Sequence, residues 1–206
     1  MLPDTSDASE TAPAAPGLLS PRYRALTLGI VVLVVTAAFE AMAVATVMPV
    51  VSASLGGVEL YALAFAAPLA TNVLGVVAGG LDSDAAGPRR PVAVGLVLFV
   101  AGLLTAALAP SMAVLAVGRA VQGLGAGLFV VTLNVVVARA YPEELRPRVF
   151  AAEAAAWVLP GVVGPALAGA VAEQVGWRWV FAGPPVLAVL APVVVLRRLP
   201  AGPVPG

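Results

Sequence analysis

The stretch MAVLAVGRAVQGLGAGLFVVTLNVVV, residues 112–137, decides how this chain folds, because it is long, apolar and interrupted by a single charge, Arg119. A helix crosses the hydrocarbon core of a bilayer with about 20 mostly apolar residues, at a rise of about 1.5 Å for each residue. The stretch exceeds that length. We therefore predict one membrane-spanning helix here.

Runs with few or no charges recur along the rest of the chain, whose 206 residues are 61% hydrophobic and 11% charged. Soluble domains are about 45–50% apolar, so this composition indicates a membrane protein. We predict an all-α membrane protein with a six-helix domain over residues 22–198. Its spans are expected at residues 25–51, 59–79, 92–109, 112–137, 150–172 and 179–196. Residues 1–21 are predicted to be a disordered cytoplasmic tail, and residues 199–206 a cytoplasmic tail rich in Pro and Gly.

The arginines indicate how the helices are oriented. All 11 basic residues are arginines; Arg178 lies on one side of the predicted spans and Arg119 lies inside a span. The others flank the opposite side: Arg22, Arg24, Arg89, Arg90, Arg139, Arg146, Arg148, Arg197 and Arg198. Cytoplasmic flanks of membrane helices are enriched in Lys and Arg. We therefore expect a multi-pass protein of the cell membrane, surrounded by lipid, with both termini in the cytoplasm.

Composition also excludes several classes of function. The 11 acidic residues balance the 11 basic ones, so no positive field is available to attract nucleic acid. The chain has neither Cys nor His, which removes disulfides, thiolate and imidazole metal sites and His-based triads. We expect no metal, no cofactor and no nucleic-acid partner. An enzyme is the least favoured class, because the sequence offers no pair of nucleophile and base.

Glu40 and Arg119 are the candidate proton-coupling residues. Ionisable groups in a bilayer cost about 2.5–3.5 kcal/mol on insertion scales, so they are functional hypotheses by default. At helical rise, Glu40 lies roughly 16 Å and Arg119 roughly 10 Å from the outer ends of their spans, close enough in depth to pair. In one interpretation, Glu40 takes up and releases protons under the influence of Arg119. In the other, the pair is static and only fixes helix packing. Glu153, near the inner end of the fifth span, is expected to face water.

A few other polar residues are expected to face the interior. Gln122 follows Arg119 on one helical face, and Thr36 and Asn134 lie in the first and fourth spans. These three are the candidate substrate-cavity residues. Their small number favours an apolar or amphipathic solute over a sugar.

The fifth span carries a stripe of small residues at helical spacing, including Gly161, Gly164, Pro165 and Gly169. Such a stripe lets two helices approach closely, and Pro165 should bend its helix. One interpretation is a tight, kinked contact. The other is a moving contact that seals one side of a pore.

The connection between the second and third spans, residues 80–90, combines glycines with charges of both signs. Glycines permit a sharp turn, and its acids can pair with Arg or cap the next helix. We interpret it as a cytoplasmic latch, the alternative being an ordinary solvated turn. The candidate latch residues are Gly80, Asp82, Asp84, Gly87, Arg89 and Arg90.

Five motifs in order resemble those of one transporter family. Residues 40–49 resemble its first-helix pattern D-x-T-x-x-N-x-x-x-P, and residues 80–90 its loop signature G-x-x-x-D-x-x-G-R-R. Residues 119–126 match its fourth-helix pattern R-x-x-Q-G-x-G-A, residues 164–169 resemble its fifth-helix motif G-P-x-x-G-G, and residues 176–181 resemble the start of its sixth helix. The chain thus resembles the amino-terminal half of a major facilitator superfamily transporter, most closely the drug:proton antiporter branch.

The sequence also departs from the family patterns. The first helix lacks the polar Thr and Asn of the family pattern, so any role of those two side chains is lost here. The loop signature lacks some of its usual basic residues. The departures are Glu40 for Asp, Met42 for Thr, Ala45 for Asn, Ala85 and Pro88 for basic residues, and Ala168 for Gly.

The resemblance implies alternating access around a midplane site between two six-helix bundles, each a 3+3 inverted repeat. It also implies a part in proton coupling for Arg119. We expect a half-size or truncated transporter that exports apolar or amphipathic small molecules in exchange for protons, and that needs a second copy or a carboxyl-half partner. The alternatives are an uptake permease for a small metabolite and a non-transporting membrane interaction module or remnant.

Overall fold

Residues 17–186 and 188 are described by the structure, which is a computed structural model. This part of the chain is helical, which confirms the all-α fold class, and its first five helices are long and apolar enough to cross a membrane. The helices are α1 (Arg24–Leu55), α2 (Tyr61–Ala86), α3 (Arg89–Ala107), α4 (Met112–Ala140), α5 (Arg146–Gln174) and α6 (Arg178–Ala182), with a 3-10 turn at Val58–Leu60 before α2.

The predicted tails and the sixth span extend beyond this part of the chain. Residues 1–16, 189–196 and 199–206 lie outside the described residues. Residues 17–21, which we expected to belong to a disordered tail, instead form turns, and the Leu18 carbonyl accepts a hydrogen bond from Thr27 in α1.

The turn between α2 and α3 lies later than predicted. We expected α2 to end at residue 79, but it continues through two glycines to Ala86. Gly79 packs so closely on α4 that a Cβ there would lie 2.8 Å from the Leu128 carbonyl oxygen, so packing favours a helical glycine. The chain reverses at Gly87, which has a φ of +86° that only glycine adopts readily, and at Pro88.

α4 lies between α2 and α3 with its backbone in contact with both. Gly123 and Gly127 face the backbone of α2, whereas Gly118 and Gly125 face the backbone of α3, and a Cβ at any of these glycines would overlap main-chain atoms of the neighbour. Small residues promote helix association in membranes because they let backbones approach closely. α2, α3 and α4 therefore form one tightly packed group, which we call the glycine-packed group.

α1 packs mainly along α5, and this contact is looser. The buried positions of the central part of α5 recur every four residues, at Ala156, Pro160, Gly164 and Ala168. A Cβ on Gly164 would make only an ordinary contact, 3.6 Å from Phe39. The predicted stripe is thus divided, because Gly164 faces α1 whereas Gly161 is exposed.

Polar contacts tie helices together at the two opposite ends of the bundle. At the arginine-rich end, the hydroxyls of Thr27 in α1 and Tyr141 after α4 are hydrogen-bonded at 2.7 Å, and Tyr23 stacks on Tyr141. At the other end, Arg178 donates to the Ala109 carbonyl after α3 at 2.8 Å. Each end of the bundle is therefore held by a polar contact: one joins α1 to the end of α4, and the other joins α6 to the end of α3.

Replacing Gly125 with Ala is expected to destabilise the bundle by about 1–3 kcal/mol, because the added methyl group would overlap the backbone of Phe99 and Gly95. Gly161→Ala is the matched control. A Cβ there meets nothing within 4 Å, and alanine favours a helix over glycine by about 1 kcal/mol. Thermal unfolding in detergent, followed by circular dichroism, compares the two variants. Equal midpoints would contradict the backbone contact between α3 and α4.

Candidate proton-coupling site

Glu40 lies on the buried face of α1. This face carries apolar residues at helical spacing, among them Ala37, Val44 and Val47, and Glu40 takes one of its positions with 3% of its surface exposed. On α4, Arg119 and Gln122 are three residues apart and equally buried, with 5% and 4% exposed. Helical periodicity therefore brings one polar group from α1 and two from α4 into the interior.

The three side chains form a closed triangle of hydrogen bonds. Arg119 Nη1 donates both to Glu40 Oε1 and to Gln122 Oε1, and Gln122 Nε2 donates to Glu40 Oε2. Both carboxylate oxygens and both ends of the amide are used. The amide orientation follows from its partners, because its oxygen must accept from Arg119 and its nitrogen must donate to Glu40.

This arrangement can bind a proton and respond to it. A buried charge is tolerated only when it is paired and hydrogen-bonded, and Glu40 and Arg119 meet that requirement together. Protonation of Glu40 removes the charge that faces Arg119. Because these residues belong to α1 and α4, protonation changes the contact between the two helices.

The other predicted cavity residues do not join the triangle. Thr36 is buried one turn before Glu40, and its hydroxyl donates to the Val32 carbonyl of the same helix. Asn134 is exposed and lies 15 residues beyond Arg119, roughly 22 Å along α4 at helical rise. Of the three candidates, the structure thus places Gln122 in the triangle and Thr36 in the wall of a neighbouring cavity.

A cavity of about 420 Å³ lies beside α1, between α5 and α6. Apolar side chains dominate its wall, including Phe39, Val163 and Trp179, and Thr36 contributes a hydroxyl. Cavities of about 300–1,000 Å³ with apolar walls are typical of small-molecule sites.

The predicted latch is brought together only in part. Asp82 pairs with Arg90 at 3.5 Å across the turn, and the Arg90 side chain is 71% exposed. Exposed pairs of this kind contribute about 0–1 kcal/mol. Asp84 and Arg89 are exposed, and a Cβ at Gly80 would meet open space.

Sequence reasoning missed the polar contacts that hold α2 on α4. Ser83 and Thr132 are fully buried with their hydroxyl oxygens 3.2 Å apart. Closer to the site, Thr71 donates to the Ala120 carbonyl at 2.7 Å and Asn72 to the Gly123 carbonyl at 3.4 Å. These contacts fix the part of α4 that carries Arg119 and Gln122. The sequence did contain a signal for these contacts. It is the helical spacing between single hydroxyl or amide residues and the glycines of α2.

The described residues contain no cluster of three or more His, Cys, Asp or Glu side chains placed to hold a metal ion. The acids that lie near the interior, Glu40 and Glu153, belong to different sites.

The bundle, with five helices long and apolar enough to cross a membrane and a buried polar triangle in its interior, defines a multi-pass membrane protein. Residues 30–206 match the family described as Major Facilitator Superfamily. The chain belongs to that superfamily, whose members are transporters and not enzymes.

Curated relatives agree with this assignment. The chain is 31% identical over 185 residues to MFS transporter L2 of Phoma sp., covering 87% of this chain and 30% of the relative. It is 28% identical over 156 residues to Multidrug resistance protein 3 of Bacillus subtilis, covering 76% of this chain and 30% of the relative. The chain thus spans about a third of the length of these relatives.

Solved structures show the same fold. A D-xylose-proton symporter superposes with a TM-score of 0.77 at 16% identity, over 88% of this chain and 49% of that protein. The inward-open xylose transporter XylE from E. coli superposes with a TM-score of 0.72 at 17% identity, over 87% and 48%. The expected half of a major facilitator fold is therefore confirmed.

Arg119→Leu is expected to destabilise the bundle by about 3–5 kcal/mol, because the Glu40 carboxylate stays buried with its cation removed. Changing Glu40 to Leu as well should recover most of that loss, since two apolar side chains need no polar partner. Unfolding free energies of the two single variants and the double variant form a mutant cycle. Strictly additive losses would show that the two side chains do not interact.

Proposed function

We propose that this chain forms the amino-terminal bundle of a membrane transporter that exports apolar or amphipathic small molecules in exchange for protons. The observation that supports this most strongly is the buried triangle of Glu40, Arg119 and Gln122. Membrane proteins keep ionisable groups in their interior mainly where these groups act on ions, protons or substrates. In this proposal the arginine-rich end of the bundle and both termini face the cytoplasm.

The proposed step begins when a proton binds to the Glu40 carboxylate. The neutral acid keeps a hydrogen bond to Gln122 but loses its charge attraction to Arg119, so the contact between α1 and α4 weakens. α1 can then shift along α5, because the two helices are not in tight contact at Gly164, where an added Cβ would lie at ordinary van der Waals distances from α1. α4 stays in place because its glycines are in backbone contact with α2 and α3.

The substrate class follows from the cavity beside α1. Its apolar wall favours solutes that gain free energy by leaving water, at about 25 cal/mol for each Å² of apolar surface buried. Thr36, which is part of this wall, lies one helical turn before Glu40 on α1. The name of the Bacillus subtilis relative, Multidrug resistance protein 3, is consistent with this class.

Uptake of a small metabolite is the alternative within transport. The xylose symporters share the fold with this chain, and their identity to it is only 16–17%. The cavity offers few hydrogen-bonding groups for a sugar, which favours the export of an apolar solute. The direction of flux in oriented vesicles distinguishes the two.

A second six-helix bundle completes the transporter in this proposal, either another copy or a carboxyl half. α2 and α5 support this, because their buried residues form narrow stripes and large apolar side chains lie exposed elsewhere on them. Cross-linking in membranes should capture a complex of two bundles. Transport by a monomeric single bundle would contradict this assembly. A complex of two bundles without flux would indicate an interaction module instead.

Glu40→Gln is expected to reduce pH-gradient-driven movement of ethidium in proteoliposomes to the level of empty vesicles. Glutamine keeps the shape of the site and can still accept the hydrogen bond from Arg119, but its amide nitrogen cannot accept from Gln122 and the side chain cannot carry a proton. The matched control is Glu144→Gln, an exposed acid before α5, which should retain wild-type flux. If Glu40→Gln transports as fast as the control, the proton role of Glu40 is wrong.

A further inference from the structure

Glu153 lies seven residues into α5 and differs from the neighbouring acids. Glu143 and Glu144, before α5, are exposed, whereas Glu153 is half-buried. Its Oε1 atom is enclosed, and the described part of the chain provides no hydrogen-bond partner for it. The position is therefore not the water-facing one expected from the sequence.

Two further polar atoms at this end of the bundle are in the same situation. Ser20 Oγ, before α1, and Arg139 Nη2, in the last turn of α4, are enclosed and have no partner among residues 17–186. Buried polar atoms in native proteins are nearly always satisfied by protein, water or an ion. Three such atoms at one end of a bundle indicate a place that water or protons reach.

Tyr141 lies near Glu153 and is hydrogen-bonded to the Thr27 hydroxyl. The Thr27 hydroxyl lies 3.2 Å from the Leu18 carbonyl, to which it can donate, and 2.7 Å from the Tyr141 hydroxyl, a contact in which either oxygen can be the donor. When the tyrosine donates, its oxygen keeps a lone pair that can accept a hydrogen bond. Burial, reinforced by the nearby negative charge of Glu153, raises the pKa of Tyr141, so its hydroxyl stays protonated.

Charged and titratable groups at this end lie on α5 itself and on two of the helices that contact it, α1 and α4. The described start of α6 lies at the opposite end of the bundle and contributes none here. The groups are Tyr23 and Arg24 at the start of α1, Arg139 and Tyr141 at the end of α4, and Arg146 and Arg148 at the start of α5.

The depth of Glu153 places it between this end and Glu40. At helical rise, Glu153 is about 10 Å along α5 from Arg146, and Glu40 is about 24 Å along α1 from Arg24. Because α1 and α5 pack along each other, a proton that enters at this end reaches the level of Glu153 before that of Glu40.

We propose that Glu153 is a second proton-binding residue, which exchanges protons between the aqueous phase at the arginine-rich end and the interior path toward Glu40. This proposal rests on the proposed function, because it takes Glu40 as the interior proton acceptor. The ligand is a proton, carried to the carboxyl group directly or by water. Glu153 changes its protonation state within each transport cycle.

Carbodiimide labelling tests this directly in the full chain in lipid vesicles. Dicyclohexylcarbodiimide is membrane-soluble and reacts with protonated carboxyl groups. Mass spectrometry should find modification of Glu153 whose rate falls about tenfold for each pH unit above the titration midpoint, as for any single titrating group. Two outcomes would overturn the proposal. In one, only a water-soluble carbodiimide modifies Glu153, at the rate of Glu144; in the other, neither reagent modifies it.

Glu144 provides the internal control, because it should react with the water-soluble reagent alone. Glu153→Gln should remove the labelled peptide and slow pH-gradient-driven ethidium flux, while ethidium binding stays unchanged. Wild-type flux at every pH in this variant would overturn the role of Glu153 in the cycle.

The labelling result separates this proposal from the proposed function. If Glu40→Gln retains wild-type flux while Glu153 is labelled as expected, the exporter mechanism fails and the proton site at Glu153 stands. If Glu40→Gln abolishes flux while only the water-soluble reagent labels Glu153, the exporter mechanism stands and the second proton site fails.

Discussion

A bilayer offers no water to polar groups in its hydrocarbon core, so groups placed there must satisfy one another. In this chain, Glu40, Gln122 and Arg119 Nη1 do so in a closed triangle, whereas Arg119 Nε has no hydrogen-bond partner in the described part of the chain. That requirement determines which face of α4 turns toward α1. The glycines of α4 occupy its other faces, where they allow α2 and α3 to approach. One polar contact and two backbone contacts thus fix the orientation of the central helix.

The half-bundle combines two kinds of helix packing. The glycine-packed group of α2, α3 and α4 leaves no room for an added methyl group, whereas the α1 and α5 contact is ordinary in its distances. Polar contacts join helices at three depths: Thr27 in α1 with Tyr141, Glu40 in α1 with Arg119 in α4, and Arg178 in α6 with Ala109 after α3. Of these, the middle contact joins two formal charges of opposite sign. In the proposed mechanism, a proton on Glu40 acts on the contact between the rigid part and the looser part of the bundle.

The sequence was sufficient to predict the spanning helices, because the cost of charges in lipid leaves long uncharged runs. The pairing of Glu40 with Arg119 followed from their depths for the same reason. Other features depend on neighbours that periodicity does not reveal. The extension of α2 to Ala86 depends on Gly79 packing against α4. The exposure of Asn134 is not visible in the periodicity either, because Asn134 recurs at helical spacing with Gly123 and Gly127, which face α2. The enclosed oxygen of Glu153 depends on side chains from separate helices.

The separation of Glu40 and Arg119 along the chain has a consequence for biosynthesis. They are 79 residues apart, and a ribosome adds about 5–20 residues per second, so Arg119 emerges roughly 4–16 seconds after Glu40. α5, the main packing neighbour of α1, is made later still. During this interval the first helix holds an acid without its cation. The insertion machinery, or water at its lateral opening, must shelter that carboxyl group until α4 arrives.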